Sequence, residues 1–96
     1  MNMEFILEFT PAAERDLKRL PKNMQQEILF AHLPLIEANP YEVGYPLHGA
    51  FKGELCYHFG RKPEYRIIYF VENNNIVVTI IGTRENIYKR AKRRDR

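Results

Sequence analysis

Four residues in the C-terminal half are of types that can do chemistry on a phosphate ester: His58, Arg66, Arg84 and Tyr88. Arginine presents a planar fork of donors that matches phosphate oxygens. A histidine or a tyrosine can move a proton at the reacting atoms. Preorganised cations beside a developing negative charge are often the largest catalytic contribution. Together these groups suit cleavage of an RNA backbone by attack of the ribose 2′-hydroxyl. That reaction needs a proton removed, extra phosphate charge held and a leaving oxygen protonated, and no metal or cofactor enters the scheme. Tyr57 or Tyr88 can stack on a base. Each residue also has a plainer explanation. A strand arginine is commonly an ion-pair partner, and Glu54 or Glu72 is available to Arg66. A lone histidine such as His58 is usually structural or exposed, and His32 reads as packing or surface.

Other chemistries find no support. There is no Gly-rich phosphate loop and no paired-cysteine zinc pattern, and His32, His48 and His58 lack ligand spacing. The chain contains no serine, so a serine nucleophile is excluded. Cys56 is the one thiol, and it lacks a thiol-protease context.

The elements that must position the four residues follow from periodicity. Residues 3–9 read as a strand, with Met3, Phe5, Leu7 and Phe9 on one face and Glu4 and Glu8 on the other. Thr10 caps a helix that has Pro11 in its first position. Ala13, Leu17 and Leu20 form its apolar stripe, and Arg15, Asp16, Lys18 and Arg19 are expected to face out. Pro21 breaks the pattern, and a second helix follows from about Asn23. Met24, Ile28, Ala31 and Leu35 mark its stripe, widened by Leu29, Leu33 and Ile36. Pro34 either kinks this helix or ends it early. An irregular loop is expected from Asn39 and Pro40 to about Phe51.

Strand patterns fill the second half. Residues 54–59 alternate, with Leu55, Tyr57 and Phe59 on one face and Glu54, Cys56 and His58 on the other. Residues 65–72 form a hydrophobic strand that carries Arg66, which must reach an open face or find a partner. Residues 76–83 are strongly β-branched and are expected to be central. Arg84 ends that strand, and Tyr88 lies one turn further if Glu85 opens a short basic helix. Short turns between the last three strands imply an antiparallel meander. The expected fold is α+β: an N-terminal strand, a helical hairpin and a three-stranded antiparallel meander, one small sheet packed on the helices, then a short basic helix or tail.

Ninety-six residues, 45% hydrophobic, suit a single domain over 1–96. Cys56 alone cannot form an internal disulfide. Residues 1–9 carry two glutamates and no basic region, unlike a signal peptide, and no apolar run is long enough to cross a bilayer. The expectation is a soluble cytoplasmic protein. The formal net charge is +3, yet residues 84–96 hold seven basic and two acidic residues. That basic end suits a polyanion or an acidic protein as partner, or is a solvated helix end that favours cations.

Taken as a whole, the sequence resembles the RelE/ParE superfamily of toxin–antitoxin toxins over nearly its full length. The run Phe9-Thr10-Pro11-Ala12-Ala13 to Asp16-Leu17, then Leu20-Pro21, resembles that family's opening strand and helix. Asn39-Pro40 followed by Leu47-His48-Gly49 is similar to its loop, and Tyr65-Arg66-Ile67-Ile68-Tyr69 to its most recognisable strand. Gly82-Thr83-Arg84-Glu85-Asn86-Ile87-Tyr88 resembles its closing arginine-to-tyrosine motif. The resemblance implies a ribosome-dependent messenger RNA endonuclease, neutralised by a cognate antitoxin with which it forms a hetero-oligomer. It implies that Arg66 stabilises the scissile phosphate, that Arg84 also contacts phosphate and that Tyr88 helps orient or activate the 2′-hydroxyl. Lys89, Arg90, Lys92 and Arg93 of the tail would approach ribosomal RNA or be covered by the antitoxin.

One departure stands in the first meander strand. RelE proteins have two lysines there, two residues apart, and the best alignment puts Cys56 and His58 in their places. The resemblance then gives proton transfer to His58, with Lys52, Arg61 and Lys62 nearby to supply positive charge. The competing branch, ParE-like, shares the fold but poisons DNA gyrase and cleaves no RNA. Its members generally lack the closing arginine-to-tyrosine pair, so Arg84 and Tyr88 favour the nuclease. A third reading is an inactive relative that serves only as an antitoxin partner or regulator. Arg66, Arg84 and Tyr88 speak against it, and the missing lysines for it.

Overall fold

The computed structural model describes residues 5–87 and 89. Strand β1 (Ile6–Phe9) alternates as its sequence requires: Ile6 and Glu8 are exposed, while Phe5, Leu7 and Phe9 pack against the core. Met3 and Glu4 lie outside the described residues. Helix α1 (Pro11–Lys18) starts as the sequence predicts. Thr10 Oγ1 accepts from the Ala13 N–H at 3.1 Å, and Pro11 sits where no donor is needed.

Asp16 departs from expectation. It does not face out but is 2% exposed, and its carboxylate accepts the Ile81 N–H at 3.1 Å. The cause is the length of β1. Parallel pairing of β1 with β5 (Asn75–Thr83) covers only Asn75 to Val78, and the Thr10 N–H closes it on the Val78 carbonyl. Beyond that point α1 lies over the edge of β5, and a carboxylate takes the amide a strand would have taken. We expect Asp16→Ala to lower stability by about 1–3 kcal/mol, because a buried donor loses its acceptor. A urea midpoint unchanged from wild type would contradict this.

The second helix is one continuous run with a wide turn in its middle: α2 (Lys22–Glu27), a π-helical segment (Ile28–His32) and α3 (Leu33–Ala38). The Leu33 N–H donates to the Ile28 carbonyl five residues back. Pro34 has no N–H to give an α-helical bond, and the wide turn accommodates it, so the helix neither breaks nor ends there. The extra residue shifts the buried face. Ile28, Leu33 and Ile36 are buried, whereas Ala31 and Leu35, expected on the stripe, are exposed, as are Leu29 and Phe30.

The expected irregular loop holds a short helix, α4 (Pro40–Val43), a two-residue strand, β2 (Tyr45–Pro46), and a 3₁₀ turn (Gly49–Phe51). Strand β2 pairs antiparallel with β3 (Leu55–Phe59), Tyr45 opposite Cys56 and Pro46 opposite Leu55. Proline is tolerated because β2 is an edge strand. The sheet therefore has five strands, in the order β1-β5-β4-β3-β2, with β4 spanning Tyr65–Glu72. Strand β5 lies between β1 and β4, within the sheet, as its β-branched sequence predicts.

One face of the sheet packs on the helices through Ile67, Tyr69, Ile76, Val78 and Ile81. Tyr69 donates to the Pro40 carbonyl at 2.7 Å, and its hydroxyl fills the space beside Gly44 where a Cβ would lie 2.2 Å away. The other face carries a smaller cluster of Cys56, Ile68, Ile80 and Ile87, covered by Leu47 and Phe51. A β-bulge separates the two patterns on β5. Ile68 pairs with Ile80 but Tyr69 with Val78, so Thr79 is an added residue and the alternation changes phase there. Residues 84–87 turn into a helix directly after β5. Among the described residues, no helix is long and apolar enough to cross a membrane.

Candidate active site

The register of the meander sets the site. His58 of β3 lies opposite Arg66 of β4, and Arg66 lies opposite Gly82 of β5. Alternation puts His58 and Arg66 on the face turned away from the helix core, at the sheet end nearest the β3–β4 turn. The bulge at Thr79 brings Gly82 into register with Arg66 there.

Glu64, the last residue of the turn before β4, joins the candidate residues. Its Oε2 is 3.2 Å from His58 Nδ1 and 3.4 Å from Arg66 Nη2. Its main-chain carbonyl accepts the Arg84 N–H at 2.9 Å. The Arg66 side chain is 18% exposed and that of His58 40%, so the pair is half-sheltered yet reachable. Arg84 is exposed at the start of the last helix, and with Lys62, Glu64 and Thr83 it lines a pocket of about 330 Å³. On the other side of His58, the Tyr45 ring stacks on the imidazole with centroids 5.2 Å apart and 19° between planes.

Several expectations need correcting. Arg66 pairs with Glu64, a carboxylate not considered from the sequence. Glu54 accepts from the Thr79 hydroxyl at 3.1 Å, and Glu72 is at the far end of β4, opposite Asn75. Tyr57 does not reach this face. It packs toward the helices, and its hydroxyl is 2.8 Å from His32 Nδ1. Burial, and then the nearby Glu27 carboxylate, push the Tyr57 phenol up from its ordinary range. His32 is a packing residue: it stacks on Phe59 at 3.8 Å and bonds Glu27 through Nε2 at 2.9 Å. Cys56 shares the open face with His58 but is sealed under Leu47 and Phe51. Burial pushes its thiol up, Arg66 pulls it partly back, and Glu64 adds to the rise, so it is poorly suited to be a nucleophile.

Of the candidate RNA-binding residues, Lys62 lies at the Arg84 pocket and Arg61 in the same exposed turn. Lys52 precedes β3 at the end opposite His58. Lys89 lines a separate pocket of about 380 Å³ with Asp16, Arg19 and Asn86. Tyr88, Arg90, Lys92 and Arg93 lie outside the described residues. Among those described, no group of three His, Cys, Asp or Glu side chains is placed to hold a metal ion. Sequence reasoning missed Glu64 and Tyr45. Glu64 had a signal, as the acidic residue that enters the strand of Arg66. Tyr45 had none, because a two-residue strand in a loop carries no periodicity.

The arrangement is a half-buried arginine, a half-exposed histidine and a second arginine beside a small pocket on an open sheet face. Residues of these types can hold a phosphate diester and move a proton at a hydroxyl beside it. A family model for the ParE toxin of the type II toxin–antitoxin system, parDE, matches residues 7–88. Toxin RelE of Mycobacterium tuberculosis (strain ATCC 25618 / H37Rv) is 34% identical over 73 residues, 75% of this chain and 71% of that protein. Toxin RelG of the same organism is 28% identical over 90 residues, 92% of this chain and 100% of that protein. The crystal structure of the RelBE2 toxin–antitoxin complex from Mycobacterium tuberculosis contains a chain that matches with a TM-score of 0.76 at 24% identity, covering 85% of this chain and 100% of that one. This chain belongs to the RelE/ParE family of type II toxin–antitoxin toxins.

Proposed function

We propose that the chain is a single-domain cytoplasmic endoribonuclease over 1–96 that cuts messenger RNA on the ribosome, by 2′-hydroxyl attack and without metal. The observation that carries this reading is the pairing of His58 with Arg66 across β3 and β4, with Arg84 tied to the same corner. In the proposed reaction Arg66 and Arg84 hold the scissile phosphate and the charge that develops on it. His58 transfers a proton in the place of the family's lysines, and Tyr88 orients the 2′-hydroxyl. Lys52, Arg61, Lys62 and the basic C-terminal residues, Lys89, Arg90, Lys92 and Arg93, contact the RNA backbone. A cognate antitoxin binds the toxin and silences it; the chain similar to this one in RelBE2 was solved as a toxin–antitoxin complex.

The family model itself favours a second reading. It describes ParE, and the ParE-like alternative poisons DNA gyrase without cutting RNA. Arg84→Ala separates the two. Arg84 is exposed, and its fold contact is made by the main chain, so alanine should leave the fold intact. Under the nuclease reading, induced Arg84→Ala no longer arrests growth and messages stay whole. Undiminished arrest, with broken or relaxed DNA, would favour the gyrase poison.

A further inference from the structure

We propose that Glu64 is the positioning residue of this site, setting the tautomer of His58 and fixing the imidazole against the guanidinium of Arg66. The inference rests on the proposed reaction, in which His58 moves a proton and the arginines hold phosphate. One carboxylate oxygen, Oε2, lies 3.2 Å from His58 Nδ1 and 3.4 Å from Arg66 Nη2. An ionised carboxylate only accepts hydrogen bonds, so the nitrogen facing it is the one that carries a proton. In the neutral ring this puts the proton on Nδ1 and leaves the lone pair on Nε2, free to take a proton from a hydroxyl. A free histidine side chain in water prefers the opposite tautomer, so the carboxylate has a preference to overcome.

Two further contacts fit this role. The Tyr45 ring flanks the imidazole at 5.2 Å and 19°, limiting its rotation while Glu64 holds its edge. The Glu64 carbonyl takes the Arg84 N–H at 2.9 Å, so the helix start that bears the second arginine is tied to the same residue. A lysine in the position of His58 would need no tautomer control, because its ammonium offers protons in three directions. A histidine there does need it, and Glu64 supplies it.

The test combines nitrogen-15 NMR of the histidine-labelled full chain with message cleavage in a reconstituted translation system. In the wild type, neutral His58 should be mainly the Nδ1–H tautomer. Glu64→Ala should shift it to mainly Nε2–H and slow cleavage about 10- to 100-fold, the scale of a misplaced catalytic group. Glu64→Gln keeps an acceptor oxygen, so it should hold the wild-type tautomer and recover most of the rate. An amide spectrum like that of the wild type shows that each variant is folded, and Glu64→Gln keeps the comparison open should Glu64→Ala fail to fold. A wild-type tautomer and rate in Glu64→Ala, or an Nε2–H tautomer in the wild type itself, would overturn the proposal. A wild-type chain that cuts no message while its tautomer still responds to Glu64→Ala would overturn the nuclease reading alone and leave this positioning in place.

Discussion

Replacing Arg66 by alanine should lower the rate of message cleavage about 10²- to 10³-fold, the scale seen when one preorganised donor to a developing charge is removed. Arg66 stands on β4 between His58 and Gly82, and its Nη2 already faces the Glu64 carboxylate at 3.4 Å. A guanidinium presents its donors in a planar fork that matches the oxygens of a phosphate. Arg66→Lys should restore only part of the rate, since an ammonium is a point charge without the planar fork. The cost from losing the Glu64 pair should be small. The ion pair with Glu64 is partly exposed and therefore screened. The checks are single-turnover cleavage of a labelled message and a thermal melt of the same preparations. A collapsed melt would make Arg66 a structural residue, and an unchanged rate would remove it from the reaction.

His58→Gln carries the second large effect, about 10²- to 10⁴-fold in the rate of the chemical step. Glutamine preserves polarity and can still reach Glu64, but it cannot exchange a proton near neutral pH. Binding should therefore survive while chemistry stops. The measurement pairs cleavage rate with co-sedimentation on ribosomes. Loss of both together would assign His58 to docking, and full activity would make it a bystander. Among the described residues, the chemistry has few other candidates on this face. Cys56 is sealed beneath Leu47 and Phe51 with its thiol pushed up by burial, and Tyr57 points at His32 on the opposite side.

Much of this was legible in the residues alone. Thr10 and Pro11 mark a helix start because capping is local chemistry, and the alternation of 54–59 alone assigns His58 and Tyr57 to opposite faces. The β-branched run of β5 announces an interior strand. What escaped was set by contacts distant in sequence. Asp16 looks like a solvated helix residue until β1 proves too short to cover Ile81, sixty-five positions away. The helical stripe failed at Ala31 and Leu35 because the wide turn before Pro34 adds a residue that a regular period does not contain. Arg66 also meets Glu64, because the turn before β4 folds that carboxylate back onto it, and no periodicity marks a turn residue as a partner. Tyr45 sits on a strand of two residues, defined only by pairing to β3.

The most direct test of the central claim is primer extension on total messenger RNA after brief induction of the chain in cells, with Arg66→Ala induced in parallel. A nuclease of this kind leaves discrete new 5′ ends inside translated regions, absent with Arg66→Ala, and that is the expected result. Intact messages in both cultures, with growth arrested by the wild type alone, would contradict it.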